Sequence, residues 1–245
     1  MEYKFAPNEN YEDLSCGRVI YHRTGFSNYP VRLASEILQQ GLEIIEKPIE
    51  KPIEKISIYD PCCGGGYLLT VLGFLHRDRI QKLYGSDISL EANELAVSNL
   101  KLLTTDGMLI RKEQLEAIYQ DYQKNSHLEA IESANRLLKM TQGEINYQIF
   151  NRDILDLTET DSKTPVVDII ITDVPYGNLV SWSCEEAFDK ESPINRMLDN
   201  LLVNLKENSI LVISSDKKQK INNSNYTRVK KLQIGKRKIE FLMKL

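Results

Sequence analysis

The sequence predicts an α/β protein: a mostly parallel sheet of seven strands that ends in an antiparallel hairpin. Three observations predict it. Short β-rich runs ending in an acid recur along the chain, "ISIYD" (56–60), "KLYGSD" (82–87) and "PVVDIIITD" (165–173). Helical stretches separate them, which suits crossovers between parallel neighbours. The first run passes at once into "PCCGGGY", a glycine turn that opens a helix.

Taken in order, residues 1–29 are polar and irregular, with a short strand expected at "RVIYH" (18–22). "PVRLASEILQQGL" (30–42) reads as a helix. Pro30 suits its first position, Val31, Ala34, Ile37 and Leu38 share one face, and Gly41 is the expected C-cap. "EKPIEKPIEK" (46–55) repeats KPIE twice. Proline every four residues forbids a regular helix, so an extended charged connector is expected. The expected division is an N-terminal extension, 1–55, and a main domain, 56–245.

Beyond the glycine turn, "LLTVLGFLHR" (68–77) reads as a buried helix and "SLEANELAVSNLKLL" (89–103) as an amphipathic one capped by Ser89. Residues 106–140 hold two further helical stretches, too much helix for a connector, and are read as an inserted helical hairpin. "NYQIFN" (146–151) resumes the strands. After the run at 165–173 come a helix at 194–206 and a strand at 209–215. Two β-like runs about Gly235 close the chain as the hairpin.

Composition excludes several classes. The chain has 245 residues, 42% apolar and 27% charged, ordinary for a globular protein. No apolar run approaches the roughly 18 residues of a membrane span. "MEYKFAPNEN" lacks the basic-then-apolar order of a secretion signal, so a cytoplasmic monomer with no membrane contact is expected. Cys62 and Cys63 are adjacent, Cys16 and Cys184 are remote, and His22, His76 and His127 have no clustered partners; no metal site or disulfide framework is expected. Residues 217–245 carry ten Lys or Arg against one acid, a net +9 that leaves −13 for the remainder. Such a tail suits a polyanionic partner. It equally suits an edge hairpin guarded by lysines against aggregation.

"DPCCGGG" fits the pattern D-x-small-x-G-x-G, with Cys62 at the small position. The dinucleotide fingerprint G-x-G-x-x-G would need glycine at 69, where Leu69 stands. An acid at the strand end, Asp60, also repels phosphates but welcomes a sulfonium and an ammonium. Both points favour S-adenosylmethionine over a dinucleotide. Asp87, ending the next strand, can accept hydrogen bonds from ribose hydroxyls, and Asp153, just past the third, can accept an adenine amino group.

"DVPYG" (173–177) lies at the same edge of the predicted sheet. Pro175 lacks an N–H and holds Val174 extended, leaving the Val174 carbonyl to accept. The Asp173 carboxylate is a second acceptor, and Tyr176 offers a face for stacking, worth roughly 1–3 kcal/mol. Together they suit a planar group bearing an NH₂, such as a nucleobase.

The ordered set resembles the class I methyltransferases, whose fold is Rossmann-like, and "DVPY" is similar to the [D/N/S]-P-P-[Y/F/W] motif of amino-methylating nucleic-acid enzymes, with Val174 where proline is usual. "YPVRLA" (29–34), "DPCCGGGYLLTVLG", the helical insertion and "TDVPYG" more closely resemble the AviRa family, avilamycin-resistance methyltransferases of 23S ribosomal RNA. The resemblance implies a base methyltransferase of large-subunit rRNA, acting on guanine, with the exocyclic amine as the expected acceptor; orthosomycin resistance is a separate expectation that does not follow from the resemblance. It implies that Asp60, Cys62, Gly64, Gly66, Asp87 and Asp153 hold the cofactor. Asp173, Val174, Pro175 and Tyr176 would form the target pocket. Arg23, Arg32 and Trp182 would contact RNA near its mouth, and the insertion would serve as lid or RNA platform. The alternatives are a non-catalytic RNA-binding protein, a methyltransferase for DNA or a protein amide, and a nicotinamide-dependent reductase.

Overall fold

The computed structural model describes residues 2–26, 28–49, 52–156, 164–175, 182 and 192–245. Helix α1 (Val31–Glu46) precedes the first strand. Then follow β1 (Ile56–Asp60), α2 (Tyr67–Leu75), β2 (Ile80–Asp87) and α3 (Leu90–Lys101). The helical hairpin α4 (Thr105–Tyr122) and α5 (Asn125–Lys139) stands before β3 (Asn146–Asn151). The chain continues through β4 (Val167–Asp173), α6 (Pro193–Leu201), β5 (Leu205–Asp216), β6 (Tyr226–Ile234) and β7 (Arg237–Lys244).

The seven strands lie in the order β3-β2-β1-β4-β5-β7-β6. β1 to β5 are mutually parallel, and β7 runs antiparallel between β5 and β6. Chain order reverses between β1 and β4. In such sheets ligands settle beyond the carboxyl ends of the strands at that reversal. All five residues of β1 are buried, as expected for a central strand covered on both faces. Ile56 and Ile58 point into the core shared with α1 and α2, whereas Tyr59 points into the core beneath α6 with Met197 and Leu198. Leu33, Ile37 and Leu38 of α1 belong to the same core as Ile169 and Val212, so the first helix is packed on the sheet itself.

Two sequence expectations are corrected. Gly41 does not cap α1; the helix runs on to Glu46. A Cβ at Gly41 would lie 3.6 Å from the side chains of Ile210 and Val212, an ordinary packing distance, so the residue is simply buried in the seam between α1 and β5. "RVIYH" forms no strand, only an isolated bridge between Cys16 and Ile20. Its backbone is satisfied by a side chain instead. Asn99 of α3 accepts from the Tyr21 amide at 2.8 Å, donates to the Tyr21 carbonyl at 3.1 Å and donates to the Gly65 carbonyl at 2.8 Å. One buried amide thus ties the N-terminal segment to the glycine turn.

The helical insertion grips the same segment. Arg136 makes a bidentate pair with Asp13, Glu129 pairs with Arg18, and Arg111 donates to the Val19 carbonyl while stacking on Tyr21. That segment leads directly to Gly25, Phe26 and Tyr29, which form one wall of the cavity described next.

Candidate active site

The glycine turn is shaped by two residues in the left-handed region, Gly64 (φ +51°) and Gly66 (φ +72°). Their surroundings differ. A Cβ on Gly66 would fall 2.9 Å from the Cα and Cβ of Ala96, so this glycine lets α2 begin flush against α3. A Cβ on Gly64 would meet only Phe26, at 3.7 Å, and otherwise project into open space. The turn is held by Asp60, which accepts from the Cys62 amide at 3.1 Å, and by Asp87, which accepts from Gly64 at 2.9 Å and Ser89 at 3.0 Å. Gly66→Ala is therefore expected to destabilise the fold by about 2–4 kcal/mol, from left-handed strain and overpacking together. Thermal unfolding should show a melting temperature lower by roughly 5–15 °C. Gly64→Ala should cost only the left-handed strain, about 1–2 kcal/mol, and should in addition weaken ligand binding.

Beyond the turn lies a cavity of about 500 Å³ at the carboxyl ends of β1, β2 and β4. Asp60, Asp87, Asp153 and Asp173 all line it, against Arg152 and Arg237. Asp60 is buried, and desolvation pushes its carboxyl up to about 7, with the charges of Asp173 and Asp87 adding to the effect. Burial likewise pushes the Cys62 and Cys63 thiols well up, so neither is a ready thiolate. Excess negative charge here disfavours a pyrophosphate and favours a cationic ligand.

The far wall is the turn after β4. Val174 is buried and its amide donates to the Ser214 carbonyl at 3.0 Å, extending the β4–β5 pairing one residue past the strand. Pro175 lines the cavity, and its carbonyl accepts from Gln219 at 3.3 Å. Asp173 accepts from the Arg237 guanidinium at 3.2 Å, and the same guanidinium lies over the Tyr29 ring at 4.7 Å. Tyr176 lies outside the described residues, as does Cys184.

The structure thus brings Asp60, Cys62, Gly64, Asp87, Asp153, Asp173, Val174, Pro175 and Trp182 to one cavity. Gly66 is not in its wall; Gly65 is. Two arginines point elsewhere. Arg32 donates twice to the Ala6 carbonyl and once to Asn8, and stacks on Tyr3, so it fastens the N-terminal segment. Arg23 pairs with Glu91 at 3.2 Å on the surface. Sequence reasoning missed Arg237 and Tyr29. Arg237 sat unnoticed within a run of lysines, and nothing local marks it as facing β4.

A family model described as rRNA methyltransferase AviRa matches residues 1–237. The chain belongs to the AviRa family of rRNA methyltransferases. A curated relative, the 23S rRNA (guanine(2535)-N(1))-methyltransferase of Streptomyces viridochromogenes, is 33% identical over 230 residues, covering 92% of this chain and 88% of that protein. Two solved structures of the rRNA methyltransferase AviRa from the same organism superpose with TM-scores of 0.83 and 0.84 at 30% identity, covering 98% and 99% of this chain and 96% of each. AviRa membership decides between the readings left open above. The chain is a methyltransferase of ribosomal RNA, and the reductase reading is set aside. Its class I fold, mostly parallel with an antiparallel C-terminal hairpin, is that of the AviRa structures.

Proposed function

We propose that this chain methylates a guanine of 23S rRNA at ring nitrogen N1, with S-adenosylmethionine as donor. The observation that carries the reading is the convergence of the glycine turn and the Asp173–Pro175 turn on one cavity. The Streptomyces relative's name places its methyl on N1. N1 is therefore proposed here in place of the exocyclic amine expected from the sequence.

The residues fit the donor. Gly64 leaves open the space a side chain would fill, and the buried Asp60 faces that space within a surplus of carboxylates. Asp60, Cys62, Gly64, Gly65, Asp87 and Asp153 would hold the cofactor. When bound, it supplies an electrophilic methyl on sulfur. The chain's own task is alignment and proton handling. Guanine N1 carries a hydrogen, so methylation there releases a proton that the amino route would also shed later. Asp173 would accept that hydrogen as the N–C bond forms and the methyl–sulfur bond breaks, with Arg237 compensating its charge. Val174 and Pro175 hold the base edge, Tyr176 would stack on it, and Trp182 covers the cavity's flank. Orienting nucleophile and donor in a closed site is itself worth several kcal/mol of barrier.

Among the described residues no helix is long and apolar enough to cross a membrane, and no cluster of His, Cys, Asp or Glu could hold a metal. We place the reaction in the cytoplasm, where ribosomes are assembled, and assign the monomer as the working unit. Incubation with 23S rRNA and labelled cofactor, followed by mass spectrometric mapping, should find one methylated guanine carrying the group on N1. Absence of transfer to both naked RNA and large subunits would overturn the proposal. Expression in a susceptible host should also raise tolerance to avilamycin-type orthosomycins.

A further inference from the structure

We infer that the turn after β5 and the turn between β6 and β7 together form a lysine ridge that docks the RNA phosphate backbone beside the target cavity. The inference rests on the RNA-methylating function proposed above. Lys217, Lys218 and Lys220 stand in the first turn and Lys236 in the second; all four are exposed. Among the described residues none of their ammonium groups makes an ion pair or hydrogen bond. The two turns touch, since the Lys217 amide donates to the Lys236 carbonyl at 3.0 Å.

Their position ties them to the chemistry. Asp216 and Arg237 are cross-strand partners at the end of the β5–β7 ladder. Arg237 continues to Asp173, and Gln219 continues to the Pro175 carbonyl. The lysines therefore sit at the rim of the proposed target turn, two residues or fewer from groups that touch it. A strand whose phosphates lie on this ridge would present a flipped base to the cavity. Phosphate contacts of this kind position nucleic acid and carry no sequence information of their own.

The helical insertion and the outer strand argue for the same place. The helical insertion, 105–139, carries five Lys or Arg against six acids, and its Arg111 and Arg136 are engaged by the N-terminal segment. It is no cationic platform. The explanation of edge-strand protection covers Lys230 and Lys231, which lie on the outermost strand β6. It does not cover lysines in turns, which have no open ladder to guard.

The test is the triple substitution Lys217→Ala, Lys218→Ala, Lys236→Ala in the full chain, with Lys139→Ala on α5 as control. KM for a 23S rRNA transcript should rise about tenfold or more near 150 mM salt, and the slope of log affinity against log salt should shrink by about 2. S-adenosylhomocysteine affinity by calorimetry should stay within twofold. RNA retention on filters measures binding without transfer, so the ridge is judged even if the wild type transfers no methyl. An unchanged KM and salt slope overturns the inference. So does an equal effect from Lys139→Ala, or a variant whose sole change is self-association. Should the triple variant fold poorly, Lys217→Gln with Lys236→Gln replaces it, with a slope change of about 1–2 expected.

Discussion

Asp173→Asn should lower turnover by about 10²–10⁴-fold while leaving S-adenosylhomocysteine affinity within about threefold of wild type. The substitution keeps the shape and one acceptor oxygen but removes the charge proposed to take up the N1 hydrogen. Asparagine is preferred to alanine because it keeps an acceptor for the Arg237 guanidinium, 3.2 Å away. A second readout separates chemistry from folding. Asp173 helps to push the Asp60 carboxyl up to about 7, so removing its charge should move the Asp60 midpoint downwards. Parallel losses of turnover and cofactor affinity would place Asp173 in the donor wall and sink its assignment to the target. Arg237→Lys should then reproduce part of the turnover loss, because an ammonium keeps the charge but loses the planar fork and its stacking on Tyr29.

Three of the core strands were legible because each ends in an acid beside a turn. Asp60, Asp87 and Asp173 close β1, β2 and β4, and strand-end acids next to turns are a local signal. Ser89 as a cap was equally local, accepting from the Ala92 amide at 3.2 Å. What escaped the sequence depends on distant partners. Gly41 has the form of a C-cap but is buried against β5, roughly 170 residues further along the chain, where packing overrides the terminating tendency. Gly66 belongs to the motif, yet its neighbour is Ala96 of α3, and only the packed pair shows that its role is steric. Arg32 and Arg237 exchange expected parts for the same reason. The arginine near a plausible mouth is bound to Ala6, while one in a basic tail reaches Asp173 in the proposed target turn. Charge along the chain reported the tail's sign, but only the side-chain contact in the structure shows which cation meets Asp173.

Asp60→Asn should stabilise the free protein and impair the enzyme, and both effects should follow pH. Burial raises this carboxyl from 3.8 to about 7, with Asp173 and Asp87 adding to the shift and the Thr172 hydroxyl and Cys62 amide opposing it. A carboxyl raised on folding contributes most to stability below its unfolded value. That contribution is lost as pH climbs from about 4 to about 7, because the folded state resists ionisation. Three units correspond to on the order of 4 kcal/mol, an upper figure since Arg152 and Arg237 also face the cavity. Thermal melts of the ligand-free proteins should therefore place Asp60→Asn several degrees above wild type at pH 8, converge towards pH 5 and meet below about pH 4. Cofactor affinity should run the other way. A cation entering the cavity stabilises the ionised carboxylate, so S-adenosylmethionine should bind the wild type more tightly as pH rises from 6 to 8. The Asp60→Asn variant should bind it weakly at every pH in that range. A melting difference that does not vary with pH would show that Asp60 is not a buried, titrating group. A wild-type affinity that does not vary with pH would show that its charge is not what the donor meets.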